Sequence, residues 1–242
     1  AMDAAVPVTA GAANATDGGS HTPTLGGTTN AGDLILCAVT QKSSTDYTTI
    51  TASGYTQLYG KTNAGGGAVV LLGKIAAGSD ADPSISSSDT GSGHTIISQC
   101  AVFAGTLNTV AGIIAHSNSS EGTGGTSITT PTLTVSTDNT LIVYVAGKNN
   151  DWNAENPIIG ASDALTELGQ PERTSSAQAG LVWAYRIQTT AANVMPGEVT
   201  LTENTANSEA IAVSIKPEAT AGHPAARRGG RNIMGAENVR IY

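Results

Sequence analysis

The stretch "GDLILCAVT" (32–40) points directly to the fold, because a matching stretch, "NTLIVYVAG" (139–147), follows at an offset of 107 residues. Both are apolar runs bounded by turn-forming residues, a pattern typical of buried β-strands. The tetrapeptide "TPTL" stands shortly before each of them, at residues 22–25 and 130–133. The shared order indicates that one structural unit occurs twice in this chain.

Four further matches keep the same order while the offset drifts by only a few residues, as loop insertions would produce. Asp46-Tyr47 falls near Asp151-Trp152, and the other pairs are "ASGYTQL" (52–58) with "ASDALTEL" (161–168), "AVVLLGKI" (68–75) with "GLVWAYRI" (180–187), and "QCAVFAG" (99–105) with "AIAVSIK" (210–216). Chance is a poor explanation for so many ordered matches. We therefore predict two copies of a unit of roughly 100 residues.

The rest of the chain predicts strands as well. Apolar runs of five to ten residues alternate with clusters of Gly, Asn, Asp, Ser and Pro, and no segment keeps a 3.6-residue period with helix caps. In "GLVWAYRI" (180–187), Leu181, Trp183, Tyr185 and Ile187 share one face of the predicted strand. We predict an all-β protein made of two tandem, pseudo-repeated β-sandwich units of jelly-roll or Ig-like type. The alternative is one large sandwich built from both halves.

The predicted boundaries follow the repeat and the composition. Residues 1–20 form an N-terminal arm, 21–116 the first sandwich and 129–217 the second. Residues 117–128, which include the Gly- and Ser-rich "SNSSEGTGGTS" (117–127), are an exposed loop or linker. Residues 218–242 form an extended basic tail that is too short to bury a core of its own.

The charge is unevenly distributed. The chain has a formal net charge of −8 and only 12% charged residues, yet residues 217–242 contain four Arg and two Glu. An acidic body argues against nucleic-acid binding, which requires clustered Lys and Arg. No apolar run reaches the roughly 18 residues of a membrane-spanning helix, so we expect no membrane partner. The basic tail favours docking on another protein.

Cys37 and Cys100 both lie in apolar, strand-like runs. Two buried free thiols are the first expectation, since free cysteine is among the most buried residue types. A disulfide between neighbouring strands is the alternative.

The sequence contains no catalytic constellation, and we expect no enzyme activity, cofactor or metal. The four histidines are scattered singly, without the spacing of a zinc site: His21, His94, His116 and His223. The segments "DADPSISSSD" (80–89) and "NNDWNAEN" (149–156) are rich in oxygen ligands but lack the calcium-loop pattern. We predict solvated turns in both segments.

Trp152 is the best candidate for a ligand contact. With Asp151 and Asn153 beside it, an exposed Trp could stack on a sugar ring while its neighbours form hydrogen bonds. The competing interpretation is packing, because the corresponding residue in the first repeat is Tyr47, and an aromatic side chain would then pack the same sandwich edge in both units.

The tail contains the candidate assembly residues. Its end, "NVRIY" (238–242), favours a β-strand that could add to the sheet edge of another subunit, while its arginines pair with acidic surface there. The residues assigned to docking are Arg227, Arg228, Arg231, Arg240, Ile241 and Tyr242.

The succession "AGDLILCAVT", "SGYTQL", "AVVLLGKIAAG", "HTIISQCAVFAG", "TTPTLTVSTDNTLIVYVAG" and "AIAVSIKP" resembles β-sandwich structural proteins of tailed phages and prophages. The resemblance covers about residues 20–217, and it implies a non-enzymatic virion protein of the capsid exterior or the tail, assembled in the host cytoplasm. Its expected partners are other virion subunits, including further copies of this chain. The alternative function is a carbohydrate-binding adhesin that recognises host surface polysaccharide.

Overall fold

The computed structural model of the chain describes residues 8–11, 14–17, 19–42, 46–63, 66–88, 93–104, 113–121, 127–129, 131–149, 158–159, 165–174, 178–194, 198–200 and 207–216. These ranges contain β-strands and a single 3₁₀ turn, η1, at Tyr47–Thr49. The prediction of an all-β protein is confirmed.

The strands fall into two series. The first series is β1 (Val8–Ala10), β2 (Asn14–Asp17), β3 (Ser20–His21), β4 (Leu34–Lys42), β5 (Thr51–Ala52), β6 (Thr56–Asn63), β7 (Gly67–Ile75), β8 (Ile85–Ser86) and β9 (Thr95–Phe103). The second series is β10 (Ile113–Glu121), β11 (Ser127–Thr129), β12 (Leu133–Val135), β13 (Thr140–Lys148), β14 (Ile158–Ile159), β15 (Thr166–Gly169), β16 (Glu172–Arg173), β17 (Ala179–Gln188), β18 (Ala192–Val194), β19 (Glu198–Thr200) and β20 (Ser208–Ile215).

Each series builds one large antiparallel sheet with the same strand order. Sheet 1 runs β1-β9-β4-β7-β6, with β2 also paired to β9, and sheet 2 runs β10-β20-β13-β17-β15, with β16 also paired to β17. Each repeat adds a small three-stranded sheet, β3-β8-β5 in repeat 1 and β11-β19-β14 in repeat 2. Repeat 2 also contains the pair β12-β18. The path of the chain is therefore duplicated along with the sequence.

The register of the ladders matches residue by residue. Leu34 pairs with Ile75 and Phe103, and Leu141 pairs with Ile187 and Ile215. The sequence alignment of the last strand, which places Gln99 on Ala210, is therefore one residue out. A shift of one residue exchanges the two faces of a strand. Because β9 and β20 carry hydrophobic residues on both faces, the hydrophobic pattern alone does not distinguish the two alignments.

A β-bulge is also duplicated. It lies between Gln57 and Tyr59 in β6, and between Glu167 and Gly169 in β15. The bulge leaves one extra residue in the edge strand, Leu58 and Leu168 respectively. Both leucines turn toward the same core.

The two "TPTL" segments have the same role. Pro23 and Leu25 are buried while Thr24 between them is exposed, and Pro131 and Leu133 are buried on either side of the exposed Thr132. In each repeat the segment leads from the small sheet to the large one. Because burial alternates along the segment, its leucine (Leu25 or Leu133) packs in the core between those two sheets.

The sheets stack in four layers with three cores between them. The central core lies between sheets 1 and 2 and takes side chains from both: Leu34, Leu36, Ala38, Leu58, Val69, Leu71, Ile97, Ala101, Phe103, Leu141, Val143, Val145, Ala179, Leu181, Trp183, Ile211, Val213 and Ile215. Outer core 1 lies between sheet 1 and its small sheet, and outer core 2 between sheet 2 and the small sheets of repeat 2. Each repeat is thus a sandwich, and the two sandwiches share a third core.

The contacts between the middle strands of the two large sheets are reciprocal. Strand β4 packs against β17 while its counterpart β13 packs against β7, and β4 and β13 also touch each other. Reciprocal contacts are the mark of an isologous, twofold interface between two copies of one unit. The chain therefore contains an internal pseudo-dimer.

Two of the predicted boundaries need correction. Residues 117–121 are not a linker, because they form the second half of β10, which pairs with β20 along the edge of sheet 2. The predicted end of the first sandwich at residue 116 falls inside the same strand. The polar run "SNSSE" (117–121) hid this strand, since edge strands accept polar residues. Residues 8–10 and 14–17 of the predicted arm pair with β9 of sheet 1.

Cys37 and Cys100 form a disulfide, so the expectation of free thiols is wrong. The two residues are directly opposite in β4 and β9, with Cα atoms 4.0 Å apart. The carbonyl of Cys100 accepts a hydrogen bond from the amide of Gly11 on its other side, at 2.8 Å. Cys37 and Cys100 are therefore a non-hydrogen-bonded pair, whose side chains approach most closely. Spacing alone could not reveal this register.

Candidate functional site

The sequence-predicted site residues lie outside the described residues. This holds for the glycan candidates Asp151, Trp152 and Asn153, and for the assembly residues of the tail, Arg227, Arg228, Arg231, Arg240, Ile241 and Tyr242. What the structure describes is the surface and the interfaces that these segments adjoin.

The segment at residues 80–89, predicted above as a solvated turn, begins with a structural hub around Asp80. Asp80 receives hydrogen bonds from Thr29 at 3.1 Å and from the amides of Ala77 and Gly78, and it forms an ion pair of 2.5 Å with Lys74. Its side chain is only 4% exposed, so the prediction of a solvated turn is wrong for Asp80. Burial favours a higher pKa for its carboxyl, but these donors outweigh it and the pKa is lowered.

The same hub contains Tyr55. The ammonium of Lys74 lies 5.7 Å from the centre of the Tyr55 ring. Burial, with the nearby charges of Asp80 and Asp82, raises the pKa of Tyr55 to about 12. Within the described ranges no three His, Cys, Asp or Glu residues come together as a metal site would require.

Both ends of the central core carry a polar contact between the repeats. The side-chain amide of Asn63 donates to the carbonyl of Ser208 at 3.2 Å. Arg173, which occupies the position equivalent to Asn63, donates to the hydroxyl of Thr95 at 3.3 Å. The two contacts are related by the internal twofold, and each joins one repeat to the first residues of the last strand of the other.

Trp183 forms a further link across the central core. Its indole N–H donates to Oε1 of Gln99 at 2.9 Å, and Nε2 of Gln99 donates to the carbonyl of Gly11 at 2.9 Å. Gly169 leaves the space that Gln99 needs, because a Cβ there would overlap the amide of Gln99. The chain N-terminal to β2 is thereby tied to repeat 2.

Glu209 is the most unusual polar group in the interface. It is fully buried, and within the described residues neither carboxylate oxygen has a hydrogen-bond partner. Oε1 lies against Gly67, where a Cβ would come within 3.0 Å of it, and Asn149 donates to the neighbouring carbonyl of Gly66. Burial raises the pKa of Glu209 well above its usual value, which favours the neutral acid.

A buried His–Ser contact lies in repeat 1. Nε2 of His21 is 2.5 Å from Oγ of Ser98. Ser98 is fully buried and His21 is only 5% exposed. Desolvation lowers the pKa of His21 to about 4, so the ring is neutral at pH 7. The pair resembles part of a catalytic dyad, but its burial makes it a packing contact.

The outer strand of sheet 1, β6, is covered by the chain's own η1 turn. Gln57 donates from Nε2 to the carbonyls of Tyr47, Thr48 and Ile50, at 3.3, 3.1 and 2.6 Å. Thr62 accepts from the amide of Tyr47 at 2.9 Å. The ring of Tyr47 rests on Gly60, where no Cβ would fit. We call this arrangement edge 1.

The equivalent outer strand of sheet 2, β15–β16, carries different side chains, and we call it edge 2. The pairing with β17 places Glu167 at the position of Gln57, Glu172 at that of Thr62, and Gln170 at that of Gly60. Glu167 and Glu172 are exposed, and partial burial raises the pKa of Glu167. Edge 2 therefore presents an acceptor, Glu167, where edge 1 presents the donor amide of Gln57, and it has Gln170 in place of the glycine on which the Tyr47 ring rests.

Sequence reasoning missed Glu209 and edge 2. The sequence did contain a signal for edge 2. Aligning "SGYTQL" (53–58) with "SDALTEL" (162–168) places Glu167 at the position of Gln57, a change from a neutral amide to a carboxylate. Glu209 gave no such signal, since a Glu at the start of a strand is ordinarily solvated.

No helix in the described ranges combines the length and apolarity needed to span a bilayer. Compared with protein-family models, curated proteins and solved structures, the chain finds no match in any of the three.

Proposed function

We propose that this chain is a non-enzymatic structural protein of a tailed-phage virion, at the capsid exterior or in the tail, which acts by assembling with copies of itself and with other virion subunits. The proposal rests on the resemblance over residues 20–217 and on the internal twofold. In the central core two copies of one unit are packed as in a homodimer, with reciprocal strand contacts and a polar contact at each end. A unit that packs against a copy of itself in this way is suited to assembly into a larger particle.

The disulfide is compatible with a particle that leaves the cell. Disulfides persist in oxidising surroundings and are rare in the cytosol. A bond formed on release would fasten β4 to β9 in the exposed particle, after assembly in the host cytoplasm.

The test is the mass of the chain in solution with and without residues 218–242, measured by light scattering over a range of concentrations. We expect an oligomer for the full chain and a smaller species for the shortened one. A full chain that stays monomeric at every concentration would remove the basis of the proposal.

One observation favours the alternative, a glycan-binding module. The packing interpretation of Trp152 relied on Tyr47, whose ring rests on Gly60. Repeat 2 has Gln170 at that position, so it does not offer Trp152 the same seat. An exposed Trp with Asp151 and Asn153 beside it would suit a sugar ring.

Tryptophan fluorescence tests this alternative. Trp183 is fully buried and bonded to Gln99, so a response to added host polysaccharide would come from Trp152. A saturable shift in the natural chain that disappears in Trp152→Phe would support glycan binding. No response to a panel of polysaccharides would argue against it.

A further inference from the structure

We propose that Glu209 and Asn149 of repeat 2 form a proton-dependent latch on the β6–β7 hairpin of repeat 1. When Glu209 is protonated, its O–H donates to Oδ1 of Asn149, and this bond keeps the side-chain amide of Asn149 on the carbonyl of Gly66. When Glu209 loses the proton, the amide rotates and its bond to the hairpin is lost. This inference concerns the central core and goes beyond the proposed function.

The latch residues meet at one end of the central core. A Cβ on Gly67 would come within 3.0 Å of both Oε1 of Glu209 and Oδ1 of Asn149, so the two oxygens share the space beside this glycine. Asn149 also donates from Nδ2 to the carbonyl of Gly66, the preceding residue of the hairpin. One side-chain amide therefore lies between the carboxyl group of Glu209 and the backbone of repeat 1.

Donor and acceptor rules fix the orientation of this amide. A backbone carbonyl only accepts hydrogen bonds, so Asn149 presents Nδ2 to Gly66 and keeps Oδ1 beside Glu209. An ionised carboxylate also only accepts, and it would set two acceptors against each other. A protonated carboxyl has one donor for Oδ1. Within the described part of the chain neither oxygen of Glu209 receives a hydrogen bond, so nothing there stabilises the ionised form.

Two lysines of sheet 1 lie on the face that packs against sheet 2. In their ladders Lys42 is opposite Gly67 and Lys61 is opposite Val69, and residues directly opposite each other share a face. In the ranges that the structure describes, neither lysine forms an ion pair with Glu209. A neutral Glu209 accounts for this, since it offers no charge for an ammonium group to pair with.

The other titratable residues of the strands packed around Glu209 lie away from it. Lys74 of β7 is paired with Asp80 at the other end of its strand. Tyr144 and Lys148 of β13 lie on the face toward outer core 2. The remaining ones are opposite positions other than Glu209 in their ladders: Tyr59, His116 and Glu121.

Burial therefore controls the proton, and it raises the pKa of Glu209 well above its usual value. Because the pKa is raised on folding, the latch is intact below the unfolded pKa and is lost as pH rises through the folded value. Ionised Glu209 attracts Nδ2 of Asn149. Rotation of the amide then turns Oδ1 toward the carbonyl of Gly66, and the bond between the repeats is broken.

The neighbouring bonds do not depend on a proton. The backbone amide of Asn149 donates to the carbonyl of Asn207 at 3.4 Å, so the side chain is the part of Asn149 that responds to Glu209. In the same hairpin, Asn63 donates from its side-chain amide to the carbonyl of Ser208 at 3.2 Å. Asn63 is therefore an internal reference, an amide in the same interface whose acceptor does not titrate.

The other end of the central core lacks the latch. The residues related by the internal twofold are Ile97 for Glu209, Lys42 for Asn149 and Ala179 for Gly67. Ile97 and Ala179 belong to the central core. The acid thus occurs together with an amide that accepts its proton and a glycine that leaves room for both.

The experiment follows the side-chain amides of Asn149 and Asn63 in the full chain by NMR from pH 5 to pH 10. Their exchange with water is measured and corrected for pH, and the carboxyl carbon of Glu209 is followed in the same samples. Its signal is identified by its absence in Glu209→Gln. The control is Glu172→Gln, which makes the same change at an exposed glutamate of repeat 2.

In the natural chain and in the control, the exchange of the Asn149 amide should rise about tenfold as Glu209 titrates, the effect of losing one hydrogen bond. That of Asn63 should change little. Glu209→Gln keeps a donor beside Oδ1 at every pH, so Asn149 should stay protected throughout.

Gly67→Ala tests the geometry by a second route, because its Cβ would occupy the space between the two side chains. We expect fast exchange of the Asn149 amide at every pH and a lower temperature of unfolding. Adding Glu209→Ile should recover most of that loss, since Ala with Ile is the pair at the other end of the core.

Three results would overturn the latch. The first is a Glu209 that titrates while the exchange of Asn149 stays constant. The second is an equal response of Asn149 and Asn63, which would show a general loosening of the interface. The third is a carboxyl that is already ionised at pH 5 or still protonated at pH 10.

Discussion

Outer core 1 and outer core 2 enclose the same strand path with different chemistry. Cys37 and Cys100 form a disulfide in repeat 1, and the equivalent pair in repeat 2 is Tyr144 opposite Ala212. Two medium-sized residues are thus exchanged for a large one and a small one, and the strand pairing is unchanged. The duplicated property is the register of the backbone, and each repeat stabilises that register by its own means.

The loops after β7 and β17 differ in the same way. Repeat 1 closes its loop with the Asp80 hub, and repeat 2 closes the equivalent region with the pair β12-β18. Repeat 1 thus uses an ion pair and several hydrogen bonds where repeat 2 uses a short antiparallel pair of strands. The central core is common to both repeats, so we expect damage there to have the largest effect and damage to one outer core a smaller one.

Trp183→Ala should produce the largest loss. It removes the largest buried side chain of the central core and leaves Oε1 of Gln99 without its donor. We expect the free energy of unfolding to fall by about 5 kcal/mol. Denaturant titration measures this change. Leu71→Ala, at the equivalent position of repeat 1, should reduce it by about 3 kcal/mol. A loss below about 2 kcal/mol for Trp183→Ala would mean that the central core is not shared.

Removal of the disulfide, by Cys37→Ala with Cys100→Ala, should come next. The bond closes a sequence separation of 63 residues, which corresponds to about 4 kcal/mol of chain entropy in the unfolded state. Thermal unfolding of the variant checks the loss. Tyr144→Phe is the matched change in repeat 2, and we expect it to alter stability by less than about 0.5 kcal/mol. Its hydroxyl has no hydrogen-bond partner among the described residues.

Asp80→Ala should cost about 2–3 kcal/mol, because it removes an ion pair and several hydrogen bonds to a buried carboxylate. The pKa of Asp80 is lowered in the folded state, so its contribution is present above the unfolded pKa and is lost as pH falls through the folded value. Denaturant titrations at pH 7 and at acid pH should show the difference from the natural chain shrinking. An equal difference at both values would contradict this assignment.

Glu209→Ile should have a smaller effect of the opposite sign. The equivalent residue of repeat 1 is Ile97, so the variant gives both ends of the central core an apolar side chain. The pKa of Glu209 is raised on folding, so its contribution is fully present below the unfolded pKa and is lost as pH rises through the folded value. We expect a gain of about 1–2 kcal/mol at pH 8, when an unpaired buried carboxylate is removed.

Thermal unfolding against pH checks this prediction. The gain of Glu209→Ile over the natural chain should grow between pH 5 and pH 9. A variant less stable than the natural chain throughout this range would show that Glu209 has a partner beyond the described residues.

The large strands and the repeat could be predicted from the sequence because each is a long apolar run bounded by turn residues. The runs "GDLILCAVT" (32–40), "NTLIVYVAG" (139–147) and "GLVWAYRI" (180–187) contain most of β4, β13 and β17, and "GAVVLLGKI" (67–75) coincides with β7. The two-residue strands β3, β5, β8, β14 and β16 leave too brief a pattern to detect. The second half of β10, residues 117–121, was missed for another reason, since it is polar and lies at a sheet edge.

The candidate surfaces were harder to predict because they depend on register. The sequence alignment shows that Gln57 and Glu167 occupy equivalent positions in the two repeats. Only the structure shows that Gln57 donates hydrogen bonds to the η1 turn and that the ring of Tyr47 packs on Gly60. The central core was anticipated only as one of two alternatives. Two separate sandwiches and one joint sandwich give the same alternation along each strand, because the strands of both large sheets are apolar on both faces.

Native-state hydrogen exchange on Leu71→Ala tests most directly whether the two repeats form one cooperative body. Leu71 lies in β7 of repeat 1, and the amides to follow are those of β4 in repeat 1 and β13 in repeat 2. We predict that the substitution lowers the opening free energy of both strands equally, by about 3 kcal/mol. Loss of protection in β4 with unchanged protection in β13 would contradict a shared central core.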